Sequence, residues 1–317
     1  MFKYALQRLG YMLLVLLIIT FMCFVLVRML PPAALPAGDP HTAVLEAQRE
    51  AKGYNKPYLV QFWIYMRDIV TKLDWGLSDK LYWGQPVWDI FIQKLPASMI
   101  VNIYSIVLSI PVGIALGIIA ALKKNSGLDY FISTGTMVVI SVPSFVYAFL
   151  IQYIFAFKLG WLPFLMKNGT DWWSWDMFVS ILAPVMAGSF GVIAGFTRTT
   201  RAELTEVLTS DFMLLARTKG LTKTQATIRH AMRNCFVVVV PAIFGQFIGI
   251  LGGSLILERI FSIPGVGGLT LEAINGRDYN MFMLTTIFYT AIGLVAGVVV
   301  DISYGFIDPR IRMGSRK

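Results

Sequence analysis

Six stretches of nineteen residues or more are apolar almost from end to end, five of them without a charged side chain, and this limits the fold more than any motif does. The first lies between Arg8 and Arg28. About 20 apolar residues in a helix cross the hydrocarbon core of a bilayer. In lipid such a segment satisfies its backbone hydrogen bonds by coiling, so each run reads as a transmembrane helix. Composition agrees: 56% of residues are hydrophobic and 14% charged, with a mean hydropathy of +0.67, whereas soluble domains hold about 45–50% apolar residues. The expected fold class is all-α integral membrane, with six transmembrane helices. A cleaved signal peptide is the rival reading of the first run, because Lys3 and Arg8 precede it. The apolar part of a signal peptide is shorter, about 7–15 residues.

The chain divides on the same basis. Residues 1–30 form an N-terminal tail and first span. Residues 31–96 mix seven basic and seven acidic residues with aromatics and prolines, and read as a loop region with short helices such as 57–72, whose aromatics pack on the membrane domain. Residues 97–317 form a five-helix core, with spans expected at 97–122, 131–157, 178–196, 235–257 and 281–304. The third span is interrupted at Ser141-Val142-Pro143-Ser144. Pro143 removes one helical hydrogen bond and should kink or break the helix, either shaping a pore with Ser141 or serving only to pack it. Gly188, Gly191 and Gly195 would let the fourth span approach another helix closely, in this chain or a second subunit. Trp161, Trp172, Trp173 and Trp175 crowd into one loop, as interfacial anchors do.

Charge sets the orientation. Segments 1–8, 122–130, 197–234 and 305–317 carry 15 basic residues against 5 acidic, while 31–96, 158–177 and 258–280 carry 11 against 12. Positive loops stay inside, so both termini and the 197–234 loop are expected in the cytoplasm and residues 31–96 outside it. The net charge of +9 therefore reads as an orientation signal and not as a nucleic-acid footprint, since no nucleic-acid motif accompanies it. Cys23 and Cys235 fall in or at apolar runs and read as small buried residues without a disulfide.

Enzymatic chemistry is not written here. The chain lacks GxxxxGK[ST], HExxH, CxxC and GxSxG, and its two histidines, His41 and His230, fall on opposite sides of the membrane, which leaves no metal site. Arg28 and Asp301 lie at span ends, where they can snorkel or pair locally. A self-sufficient channel or secondary carrier is one possibility and an interaction scaffold another; a subunit that draws energy from partners is the third.

The basic island Arg198–Asn234 points to the third. Ser210 can cap a helix start, Asp211 supplies a first-turn acid, and Gly220 follows Arg217 and Lys219 as at a helix C-terminus. That frames a helix from Asp211 to Lys219. Thr222 with Gln225 reads as a capping box, so a second helix starts at once and runs through His230 toward the fifth span. A short helix between two turns is a knob that fits a cleft in a partner.

From the island onward the residues resemble a known family. Asp211-Phe212, Ala216-Arg217-Thr218-Lys219-Gly220-Leu221, His230-Ala231-Met232-Arg233-Asn234, Glu258-Arg259-Ile260-Phe261, Pro264-Gly265-Val266-Gly267, Arg277-Asp278-Tyr279 and Asp308-Pro309-Arg310-Ile311-Arg312 are similar to the permeases of peptide-type ABC importers. Gly38-Asp39-Pro40, Asp74-Trp75-Gly76 and Leu159-Gly160-Trp161-Leu162-Pro163 extend the similarity to nearly the whole chain. Order and spacing resemble the first of the two permeases in dipeptide, oligopeptide and nickel importers. Pro31-Pro32 and Gly38-Asp39-Pro40 spread what is usually a compact PGDP.

The resemblance implies a type I importer fold in the bacterial or archaeal cytoplasmic membrane, surrounded by lipid. It implies a second homologous permease, two ABC ATPases that bind ATP and Mg, and an extracytoplasmic substrate-binding protein, with no cofactor, catalysis or nucleic acid on this chain. Asp211, Phe212, Leu215, Ala216, Arg217, Lys219 and Gly220 would form a coupling helix seated in an ATPase. Glu258, Phe261, Pro264 and Gly265 would form a gate or binding-protein contact, or merely a tight turn. Di- or oligopeptides are the substrate it implies first, with nickel, opines and glutathione as alternatives.

Overall fold

The computed structural model describes residues 2–30 and 40–307, which are helical apart from turns and one isolated bridge between Leu77 and Pro86. Pro31-Pro32, Gly38-Asp39 and the tail motif from Asp308 lie outside the described residues. Helix α1 (Phe2–Met29) covers the first apolar run. Two short helices follow, α2 (Pro40–Ala51) and α3 (Tyr58–Lys72). On α3, Phe62 and Tyr65 lie 5.5 and 5.3 Å from the Phe24 ring of α1, so the aromatics of this region do pack on the membrane helices. Lys52 joins Asp68 at 3.1 Å and Asp74 at 2.7 Å, and Arg49 reaches Asp79 at 3.2 Å. These largely buried pairs fix how α2, α3 and the following loop meet.

Helix α4 (Val87–Leu122) has 36 residues, ten of them before the apolar run. Pro86 precedes its first turn, where a missing N–H costs nothing. Then α5 (Gly127–Ser141) and α6 (Ser144–Ile151) meet at a bend of 102°. Pro143 disfavours the helical conformation at the residue before it, and Val142 sits in the extended region at φ −88°, ψ 127°. A π-helical turn, Gln152–Lys158, continues α6.

Helix α7 (Trp175–Leu208) runs twelve residues past its apolar stretch. At 34 residues it is about 51 Å long against a hydrocarbon core of about 30 Å, so it carries its last turns well out of the bilayer. Helix α8 (Asp211–Thr218) follows, then α9 (Lys223–Ala226), a π-helical turn (Thr227–Ala231) and α10 (Met232–Gly249), the last three forming one rod. That rod begins and ends earlier than its apolar run, because the chain turns away at Gly252 and Gly253. After α11 (Leu255–Ile260) and α12 (Leu269–Gly276) comes α13 (Tyr279–Ile307). Asp278 caps α13 through the N–H of Met281 (3.2 Å) and takes further bonds from Ser78 Oγ and the Leu81 N–H, tying the loop after α3 to the last span.

Helices α4 and α7 make the most extensive helix–helix contact. Ser105 meets Val185 and Ser189, Gly113 meets Thr197, and Gly117 meets Thr200, so the two run parallel. Two parallel neighbours need a return crossing between them. The bent α5–α6 pair supplies it, which brings the five long apolar helices to six crossings among the described residues. Arg8 on α1 pairs with Asp301 on α13 at 3.2 Å, while Phe24 and Val27 share a core with Met283, so these two helices run antiparallel. Arg8, the α4–α5 turn, α8 and Asp301 therefore share one end of the bundle.

Candidate functional site

Helix α8 stands at that end beyond α7. Its C-terminus is a Schellman closure: the Leu221 N–H bonds to Ala216 O at 3.3 Å and the Gly220 N–H to Arg217 O at 3.0 Å. Gly220 takes φ +93°, the left-handed conformation such a closure needs. The helix ends at Thr218 with Lys219 as its cap, one residue short of the expected boundary. The Ser210 hydroxyl does not cap the start; it donates to Val207 O of the preceding helix instead. The capping box at Thr222 and Gln225 is complete, at 3.2 and 3.1 Å.

Periodicity divides α8 into two faces. Met213 and Ala216 turn inward onto Leu204, Ala226, Ala231 and Cys235, so α8 is packed onto the stalk made by the ends of α7 and α10. Of the seven residues that sequence assigns to partner contact, Asp211, Phe212, Leu215, Arg217, Lys219 and Gly220 are exposed, while Ala216 is a buried anchor. Leu214, which the sequence reading left out, is 64% exposed and continues the outward apolar set with Phe212 and Leu215. Its place beside Leu215 on the same short helix was the signal the sequence offered. A cavity of about 490 Å³ opens between α8 and the α4–α5 turn, with Lys124, Arg217 and Lys223 in its lining.

The second set of candidates forms a knot at the opposite end. Glu258, buried, accepts the Ser98 hydroxyl at 2.6 Å and the Gly267 N–H at 2.8 Å, while Ser98 Oγ accepts the Val266 N–H at 2.9 Å. Burial pushes the Glu258 carboxyl above its ordinary value, against the hydrogen bonds that favour its ionised form. Gly265 is enclosed so tightly that a β-carbon would fall 2.6 Å from the Glu258 carboxyl, and Phe261 is fully buried. Only Pro264 of the four is exposed. The arrangement ties α11 and its loop to α4. Ser141 and Pro143 flank the 102° bend, and Pro143 is the N-cap of α6.

A bundle of six apolar crossings with an exposed helix held out on a stalk is the form of a membrane translocation component. The match to known proteins is specific. Residues 113–313 match the family described as "Binding-protein-dependent transport system inner membrane component", residues 1–102 match its companion N-terminal family, and the chain belongs to this family of inner-membrane permeases. Among curated relatives, the dipeptide transport system permease protein DppB of Lactococcus lactis subsp. cremoris is 36% identical over 99% of this chain and 100% of its own. DppB of Bacillus subtilis is 33% identical over 99% of each. The glutathione transport system permease protein GsiC of Escherichia coli K12 is 34% identical over 98% and 99%.

Proposed function

We propose that the chain is the non-catalytic translocation subunit of an ATP-driven importer of di- and oligopeptides. It pairs with a second homologous permease, receives substrate from an extracytoplasmic binding protein and is driven by two ABC ATPases that bind ATP and Mg. The α8 end faces the cytoplasm, in keeping with the positive charge of its loops. The observation that carries the reading is α8 itself: anchored inward by Met213 and Ala216, it presents Phe212, Leu214 and Leu215 outward beside Arg217 and Lys219. Three exposed apolar side chains rimmed by charge on a short capped helix suit a protein cleft. The dipeptide-transport relatives, similar over their full length, support peptides as cargo.

Leu215 contributes to no buried cluster among the described residues, so Leu215→Glu should leave the fold intact while placing a charge in the docking face. The expected result is a permease at normal membrane abundance that no longer copurifies with its ATPases and no longer supports ATP-dependent uptake of a labelled dipeptide. Uptake by the purified chain alone in liposomes, without ATPase, would instead establish a self-sufficient carrier.

A further inference from the structure

One charge pair, its carboxylate buried and its guanidinium half-buried, is used by nothing described so far. Asp129, in the first turn of α5, is 1% exposed and its two carboxylate oxygens receive four donors. Arg201 on α7 forks onto it, Nε to Oδ1 at 2.5 Å and Nη2 to Oδ2 at 2.8 Å. The Ser133 hydroxyl donates to Oδ1 at 3.1 Å and the Asn125 N–H to Oδ2 at 2.9 Å. Asn125 is held at φ +64°, so the same carboxylate also stabilises the turn between α4 and α5. A bidentate guanidinium–carboxylate pair fixes orientation as well as distance, which a single hydrogen bond does not.

The place of the pair gives it a mechanical meaning. Arg201 lies on the stretch of α7 that leads to α8, and beside it Gly117 of α4 is in backbone-close contact with Thr197 and Thr200. Stalk, α4 end and α5 are thereby one block, to which α8 is bound through Met213 and Ala216. Along α5 the next interruption is Val142–Pro143, where α6 departs at 102°. Beyond the bend, Gln152 donates to Phe164 O at 2.9 Å and Ile260 O at 3.0 Å, gripping α11 next to the Glu258 knot.

We infer that Asp129 and Arg201 are positioning residues that make α5 move with the coupling stalk, so that a displacement of α8 is redirected at the Val142–Pro143 bend and delivered through α6 and Gln152 to the α11 loop. This rests on the reading of α8 as the ATPase-driven element. Without the pair, the stalk still moves with the ATPases, but α5 no longer follows it.

The test uses the full complex in proteoliposomes, with its binding protein and labelled dialanine, and measures both ATP hydrolysed and peptide taken up. The double variant Asp129→Asn/Arg201→Gln removes both charges together, so neither is left buried alone. It should keep ATPase activity within about twofold of wild type while uptake per ATP falls about tenfold. Arg201→Lys keeps the charge but loses the fork, and its ratio should fall by an intermediate factor. A pair that merely supports the fold would lower hydrolysis, uptake and melting temperature together and leave the ratio unchanged; that result, or a wild-type ratio in both variants, overturns the inference. Leu215→Glu separates the two readings: if it loses its ATPases and its uptake while the pair variants keep the wild-type ratio, only the strut is wrong, and if it keeps both, the docking role of α8 fails with it.

Discussion

Glu258 shows how burial and hydrogen bonding compete at one residue. Burial opposes its ionised form, hydrogen bonds from the Ser98 hydroxyl and from the backbones of Gly267, Gly268 and Ser254 favour it, and burial prevails, raising the carboxyl above 4.5. The folded loop then holds this proton more tightly than the unfolded chain, so stability from the group is complete below pH 4.5 and declines as pH rises through the raised value. Glu258→Gln removes the titration. Between about pH 4 and about pH 7 the apparent melting temperature of the wild type should fall relative to that of the variant; a gap that does not change with pH would show that the carboxyl titrates as in water. Residue-scale features of this kind were only partly legible. The capping box at Thr222 and the left-handed Gly220 follow from chemistry within a few residues, and sequence gives them directly. Asp129 and Arg201 stand 72 positions apart, and Glu258 and Ser98 stand 160 apart; only the packing of helices brings either pair together.

At the scale of elements, hydropathy finds the spans and misplaces their ends. It cannot see that α7 continues twelve residues past Phe196, because those turns are held by a narrow stripe, with Leu204 and Thr200 facing the stalk core and charges elsewhere. It cannot place the start of α4 either, where Asp89, Lys94 and Pro96 interrupt the apolar run without interrupting the helix. The glycines divide between near and open faces. Of Gly188, Gly191 and Gly195, a β-carbon on the first would meet Ser105 and on the second Tyr147, while on Gly195 it would meet no side chain or other helix within 4 Å among the described residues; the tight α4–α7 seam is made by Gly113 and Gly117 of α4, a small-xxx-small spacing present in the sequence. A β-carbon on Gly117 would fall 2.6 Å from Thr200 Cβ and 2.8 Å from Thr197 O, and backbone cannot yield to it. Gly117→Ala should therefore cost about 1–3 kcal/mol, whereas Gly195→Ala should be neutral or gain up to about 1 kcal/mol from helix propensity. Apparent melting temperatures of the two purified variants check this, and equal shifts would mean that the α4–α7 seam does not depend on close approach.

For the whole molecule the decisive quantity is parity. Five helices are each long and straight enough to cross, which taken alone would put Arg8 and Asp301 at opposite faces, yet they form an ion pair. The parallel run of α4 and α7 resolves this, since the α5–α6 pair must carry the chain back between them despite its 102° bend. Sequence reached six spans by counting apolar residues, and the geometry reaches them by the direction of neighbouring helices. The sidedness proposed above rests on charge, since the segments 1–8, 122–130 and 197–234 carry a basic excess. Single cysteines in a background with Cys23 and Cys235 replaced by serine test both statements at once. Cysteines at Lys124 and Lys219 should react with a membrane-impermeant maleimide only after cells are permeabilised, and one at Trp173, 88% exposed in the loop before α7, should react in intact cells once any outer membrane is opened. Were α5–α6 a re-entrant hairpin, position 173 would label with position 124. That result would also separate α4 and α7 into antiparallel neighbours, which the Ser105–Val185 and Gly113–Thr197 hydrogen bonds exclude in this fold.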